Sequence, residues 1–299
     1  MWEGRAAGLC RLSVLAVLVV LTGPLRAQQA PASPDGAAVE RGRYVFQAAG
    51  CLGCHTDAKG GGEPLAGGRA LATPFGTFHT PNISPDPESG IGAWRLEDFV
   101  RALRRGISPD GVAYYPAFPY TSYAGMTDAD LADLFAYLMA QPPVSRENRD
   151  HDLDFPYNLR FSLSLWQWLY HEPEAFRPDP AKDAEWNRGA YLVRHVAHCG
   201  ECHSPRNWLG AVEPDQALAG NPQGPEGGKV PNLTPGPGGL ADWSDSDIAY
   251  ALKSGMTPEG DFLSDSMGEV IENSTSKLSD GDLSAIAKYL KDLPPRSTP

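Results

Sequence analysis

Apolar residues recur at helical spacing in two matched places, one near the middle of the chain and one at its end. Leu131, Leu134, Phe135 and Leu138 share one face of a predicted helix that opens with T-D-A-D at Thr127 and is stopped by Pro142 and Pro143. Leu283, Ile286, Ala287 and Leu290 repeat the pattern after S-D-G-D at Ser279, before Pro294 and Pro295. In each copy a hydroxyl caps free backbone amides, and carboxylates suit the positive helix end. Tyr137 and Tyr289 occupy the same place in the two helices.

An earlier pair of short amphipathic helices is also repeated. E-R-G-R-Y-V-F-Q-A-A-G aligns with W-N-R-G-A-Y-L-V-R-H-V-A-H, so that Gly42 and Tyr44 match Gly189 and Tyr191, with one residue inserted in the second copy. A glycine on the first helix of a copy lets it cross the last helix closely. T-P-N-I-S-P at 80 matches V-P-N-L-T-P at 230, and Trp94 matches Trp243, each before a glycine, Gly106 or Gly255. The chain is therefore an internal repeat.

Three stretches stand outside the repeat. Residues 12–21 are apolar, preceded by Arg5 and Arg11 and followed by Gly23-Pro24 and the small Ala27. So short a run does not span a bilayer, and residues 1–27 read as a secretory signal peptide. No later stretch is long and apolar enough for a transmembrane helix. Residues 144–183 begin with the charged S-R-E-N-R-D-H-D-L-D and turn aromatic in L-R-F-S-L-S-L-W-Q-W-L-Y-H. As a helix the latter presents Phe161, Leu165, Trp168 and Leu169 on one side, either packed as a strap or left as a docking face. The third is Y-Y-P-A-F-P-Y at 114–120, whose prolines exclude a helix interior or central strand. A loop so aromatic must cover something apolar.

Composition narrows the class. A chain of 299 residues with 32 Gly and 28 Pro suits two modest, loop-rich domains. The formal net charge of −12 argues against nucleic-acid binding and suggests a neutral or basic partner. Removal of the signal peptide makes the chain more acidic still, and places it in the periplasm.

Of five cysteines, Cys10 lies in the signal peptide. The other four form C-L-G-C-H, with Cys51, Cys54 and His55, and C-G-E-C-H, with Cys199, Cys202 and His203. C-x-x-C-H is the haem c attachment signature. Two thiols one helical turn apart add to the vinyl groups of one porphyrin edge, and the next histidine stands beneath the iron as proximal ligand. Disulfides need no histidine after each pair. Zinc sites draw their pairs closer together, and a thioredoxin-like motif needs flanking strand–helix alternation that neither copy has. The expected fold is mainly α: two tandem class I cytochrome c-like domains, at 37–143 and 184–295, joined by the aromatic-rich linker at 144–183. Each wraps one covalent haem c, which supplies apolar surface to a small domain.

Aligned from Gly111 and Gly260, Phe118 and Met267 both fall seven residues on. A methionine from the loop before the last helix is the usual sixth ligand in a His/Met cytochrome, and Met267 fits that role. Phe118 cannot ligate. At the first haem the expected ligand is Met126, although it matches Leu278, a packing position. His79 or one of the tyrosines is an alternative, and so is five-coordinate iron beneath an aromatic lid. His151, His171, His195 and His198 read as surface or supporting residues, with His198 nearest a haem edge.

T-P-N-I-S-P-D-P-E-S-G-I-G-A-W, G-I-S-P-D-G-V-A-Y-Y-P-A-F-P-Y-T-S-Y and N-L-R-F-S-L-S-L-W-Q-W-L resemble the cytochrome c subunits of periplasmic alcohol, gluconate and fructose dehydrogenases across nearly the whole mature chain. The resemblance implies electron transfer from a dehydrogenase towards quinone or an oxidase. It carries the haem cysteines and histidines onto Cys51, Cys54, His55, Cys199, Cys202 and His203, and a distal methionine onto Met267. The chain departs in having two haem motifs where those subunits commonly have three, and in Phe118 replacing a methionine. Two function classes follow. The first is a periplasmic dihaem electron carrier between a redox partner (dehydrogenase, terminal oxidase or small cytochrome) and the respiratory chain, with peripheral membrane association through the linker. The second is a dihaem enzyme, a peroxidase or sulfur-compound oxidase, acting at an open first iron. No catalytic triad or carboxylate pair is discernible.

Overall fold

The computed structural model describes residues 35–224 and 227–299, and the expected signal peptide with Cys10 lies outside them. The described residues form one compact unit, mostly helical with one small sheet. In the first copy the helices are α1 (Gly36–Ala48), α2 (Cys51–Cys54), α3 (Leu96–Arg105), α4 (Tyr120–Tyr123) and α5 (Asp128–Met139). Helix α6 (Ser162–Tyr170) lies between the copies. The second copy has α7 (Ala184–Tyr191), α8 (Gly200–His203), α9 (Asp245–Ser254), α10 (Asp265–Asn273) and α11 (Asp280–Lys291).

In each copy the first helix crosses the last through a glycine. A Cβ on Gly42 of α1 would lie 1.8 Å from the Asp133 carbonyl oxygen of α5, and one on Gly189 of α7 would lie 1.9 Å from that of Ala285 in α11. An aromatic pair flanks each crossing: Phe46 and Tyr137 at 5.0 Å, Trp186 and Tyr289 at 5.1 Å between ring centroids. The inserted residue of the second copy is absorbed as a π-helical turn, Leu192–Val196, directly after α7. Thr127 and Ser279 cap α5 and α11, accepting from the amides of Asp130 at 3.1 Å and Asp282 at 3.2 Å. Gly106 and Gly255 end α3 and α9 at φ of 61° and 81°, where glycine carries no Cβ penalty.

The copies share their core. Val45, Phe46, Leu131 and Leu138 belong to the same buried cluster as Leu192, Val193, Leu283 and Leu290. They also exchange caps. Tyr44 of α1 donates to Asp282 at 2.6 Å and accepts from the Ser279 amide at 3.1 Å, at the start of the other copy's α11. Tyr191 of α7 returns the contact, donating to Asp130 and accepting from the Thr127 amide at 3.1 Å, at the start of α5.

The sheet was not foreseen. Strands β1 (Ala70–Thr73), β2 (Gly76–His79) and β3 (Asp152–Leu153) pair antiparallel in that order, so part of the 144–183 segment joins the first copy. Helix α6 starts one residue after Phe161. Its inner side holds it down: Leu163 is buried, Trp166 Nε1 donates to the Leu209 carbonyl at 2.9 Å, and Gln167 Nε2 donates to the Gly106 carbonyl at 3.1 Å. The other side stays open, with Phe161 and Trp168 80% and 79% exposed and Leu165 and Leu169 58% and 51%. The segment is thus both a strap and the bearer of an uncovered apolar face.

The loop at 114–120 covers apolar surface as its composition requires. Tyr120 is fully buried, and Tyr115 packs on Phe78 at 5.5 Å between centroids. Phe118 is half-buried, its ring against Tyr114 at 5.6 Å and Tyr123 at 5.9 Å.

Candidate functional site

Each Cys-x-x-Cys-His sequence makes a single helical turn that brings its two thiols onto one side. In α2 the residue before Cys51 is Gly50, at φ 63°; before Cys199 stands His198, at φ 41°. Burial pushes the thiols of Cys51 and Cys199 up to about 12 and that of Cys202 to about 11, and raises Cys54 too. Yet none of the four is fully buried, and Cys54 is exposed. All four are unbridged. Among the described residues, no cluster of three or more His, Cys, Asp or Glu is placed to hold a metal ion by itself.

The histidines close each turn in the same way. His55 Nδ1 lies 2.8 Å from the Pro81 carbonyl oxygen, and His203 Nδ1 lies 2.8 Å from that of Pro231. A carbonyl only accepts, so Nδ1 carries the proton and Nε2 presents its lone pair. Nε2 has no hydrogen-bond partner among the described residues in either case. Burial lowers both imidazole pKa values, the proline carbonyl offsetting part of the shift. A neutral imidazole with a fixed tautomer is what a metal ligand requires.

The residue after each proline is an asparagine whose side chain ties the loop to a distant segment of the chain. Asn82 Oδ1 accepts from the Ser84 amide at 2.9 Å while its Nδ2 donates to the Val144 carbonyl at 2.7 Å. Asn232 Oδ1 accepts from the Thr234 amide at 2.8 Å and its Nδ2 donates to the Arg296 carbonyl at 2.7 Å. Both asparagines are buried. The supporting role of Pro81, Asn82, Pro231 and Asn232 was not anticipated, although the repeat of P-N at matched places was its signal.

The expected sixth ligands sit in different surroundings. Met267 is half-buried on α10, a helix where the sequence suggested a loop. Its counterpart in the first copy shrinks to the single turn of α4, because Pro116 and Pro119 interrupt the helix. Met126 is 0% exposed and Leu278 1%, and their carbonyls accept from Arg104 Nη2 at 2.8 Å and Lys253 Nζ at 2.9 Å. The two residues are therefore equivalent in packing as well as in sequence. His79 is committed elsewhere, its Nε2 3.0 Å from Asp152.

The remaining histidines are tied into the structure. His171 Nε2 meets the Arg104 carbonyl at 2.9 Å, His195 Nδ1 the Ser122 carbonyl at 2.9 Å and His198 Nε2 the Ala49 carbonyl at 3.3 Å. His151 Nδ1 accepts from the His79 amide at 3.2 Å. Burial lowers the pKa of all four, so they are neutral bridges between elements and none is a freely solvated surface group.

Unbridged thiol pairs on one helical turn, each followed by an imidazole whose free nitrogen faces away from its carbonyl partner, fit a covalently held haem. Comparison with known proteins agrees. The cytochrome c family profile matches residues 39–142. A diheme cytochrome c-type protein of Cereibacter sphaeroides is 48% identical over 85% of this chain and 85% of its own length. A nicotinate dehydrogenase subunit from Pseudomonas putida is 41% identical over 98% of this chain, which spans 25% of that subunit. The cytochrome subunit of fructose dehydrogenase from Gluconobacter japonicus is 40% identical over 94% of this chain, which spans 58% of it. The chain belongs to the cytochrome c family, alongside the cytochrome subunits of dehydrogenases.

Proposed function

We propose that this protein is a periplasmic dihaem cytochrome c, exported by the signal peptide at 1–27, that passes electrons from a dehydrogenase to the respiratory chain. Its modules are 37–143 and 184–295, with 144–183 as the linker. Cys51 and Cys54 hold one haem c and Cys199 and Cys202 the other, with His55 and His203 as proximal iron ligands. Haem supplies one-electron redox chemistry. The observation that carries this reading is the twin imidazole geometry, each Nδ1 2.8 Å from a proline carbonyl at the end of a Cys-x-x-Cys turn. Burial keeps each imidazole neutral, the Pro81 and Pro231 carbonyls fix its tautomer, and Asn82 and Asn232 brace the loops that carry them.

Met267 completes the second site and Met126 the first. Met267→Ala is expected to turn the second haem high-spin and lower its potential; an unaltered visible spectrum and potential would remove Met267 from the role. The dehydrogenase partner is inferred from the relatives, which are subunits of fructose and nicotinate dehydrogenases. The exposed side of α6 is where peripheral membrane association would occur. The test is to isolate the exported protein, count covalent haem, and follow reduction by the dehydrogenase that co-purifies with it. A colourless protein, or haem that no dehydrogenase reduces, counts against the reading.

A second reading, a dihaem peroxidase or sulfur-compound oxidase, draws on Phe118 standing where a methionine is expected and on Met126 being packed as Leu278 is. It requires that the reduced first haem bind carbon monoxide and that the protein turn over peroxide or a sulfur compound. Two inert low-spin haems exclude it.

A further inference from the structure

His198 occupies a position that the repeat assigns to glycine. Gly50 and His198 precede the first cysteine of their turns, and both have left-handed backbone, at φ 63° and 41°. Glycine adopts that conformation without a steric penalty, whereas a residue with a Cβ pays one that other contacts must offset. Here the side chain is held by the other copy. Its Nε2 lies 3.3 Å from the carbonyl oxygen of Ala49, the residue before Gly50, and its ring meets Tyr123 edge-on at 5.4 Å between centroids.

A second contact ties the second turn to the first copy. Glu201, inside C-G-E-C-H, accepts from Thr121 Oγ1 at 3.0 Å and Ser122 Oγ at 2.6 Å, both from the first copy's α4. Arg206 holds the same carboxylate at 2.5 Å from within the second copy. Burial pushes this carboxyl up, but Arg206 and the Ser122 hydroxyl outweigh it and keep it ionised below the usual range. From the opposite side Ser274 Oγ donates to the Ala48 carbonyl at 3.0 Å.

We propose that His198 is a positioning residue that locks the two Cys-x-x-Cys-His turns against each other and so fixes the mutual orientation of the groups they carry. This rests on the two-haem reading above. The chain accepts backbone strain at His198 because a glycine there would leave the second turn without its reach to Ala49. Glu201 adds a polar clamp from the second turn onto α4, and Tyr123 packs against the His198 ring.

Orientation between two haems is read by the bisignate Soret signal in circular dichroism, which depends on how two chromophores face each other. His198→Gly keeps the left-handed backbone and removes the contact; His198→Asn also tolerates that backbone but is too short to reach Ala49. Both are expected to keep the full covalent haem content and the wild-type denaturation midpoint, yet lose most of the bisignate Soret amplitude. His198→Gln, long enough to place an amide donor near Ala49, is expected to restore it. A full-amplitude signal in the Gly or Asn variant carrying both haems overturns the proposal. A wild-type protein with a single covalent haem instead overturns the two-haem reading itself, so the two failures are distinguishable.

Discussion

Replacing Gly189 with alanine is expected to destabilise the protein by about 3 kcal/mol or more, although alanine is the better helix former. The two effects oppose each other and their sizes decide the outcome. Helix propensity favours alanine by about 1 kcal/mol in an exposed helix. Against it, the new methyl would lie 1.9 Å from the Ala285 carbonyl oxygen and 2.9 Å from Tyr289 Cβ. The first of these is backbone and cannot rotate away, so α7 and α11 must separate and the shared core must open. Gly42→Ala meets the same obstacle at 1.8 Å from the Asp133 carbonyl oxygen and 2.8 Å from Tyr137 Cβ, and the same loss is expected. Gly281→Ala serves as the control, because a methyl there meets no atom within 4 Å and α11 gains a better helix former. Urea denaturation of the three variants checks this. A wild-type midpoint for Gly189→Ala would mean that the two helices do not cross at that residue.

Replacing both Cys199 and Cys202 with alanine is expected to halve the covalent haem per chain, as measured by pyridine haemochrome absorbance against protein mass. The thioether links are what retain the group on the polypeptide, and His203 alone offers a single coordinate bond. Burial pushes these thiols up to about 12 and about 11, so both are neutral before they are linked to the porphyrin. Without its occupant, a half-chain of this size has too little apolar interior to stay closed. Because the buried cluster runs through both copies, the remaining half is expected to denature at lower urea than it does in the intact protein. Cys51→Ala with Cys54→Ala should give the mirror result. Undiminished haem in either double variant would refute covalent attachment through that pair.

Much of this architecture was legible in the residues. The caps at Thr127 and Ser279, the glycines at 42 and 189 and the two Cys-x-x-Cys-His turns are local signals, and each lies where the chain pattern put it. The inserted residue near Tyr191 was visible as a count, but its form as a π-helical turn depends on keeping the helix crossing and the thiol turn in register together. The sheet escaped notice because its strands have only 4, 4 and 2 residues, and β3 pairs with a strand far away in sequence. Helix α10 was hidden behind its partner loop: the prolines of Y-Y-P-A-F-P-Y break the equivalent helix, so alignment carried a loop onto Met267. The imidazole partners were out of reach for a different reason. They are main-chain carbonyls, which every residue owns, and only the repeated P-N at matched places points to them. The joining role of His198 and Glu201 depends on how the copies face each other, which no single copy encodes.

The exchanged tyrosine hydroxyls bear on how the repeat can evolve. Tyr44 finishes a helix start belonging to the second copy and Tyr191 finishes one belonging to the first. Excising either half would strip the survivor of a group it borrows. The duplication has become a mutual dependency: fragments cut between residues 144 and 183 should reassemble with each other more readily than either folds by itself, and the halves are bound to accept substitutions as a pair.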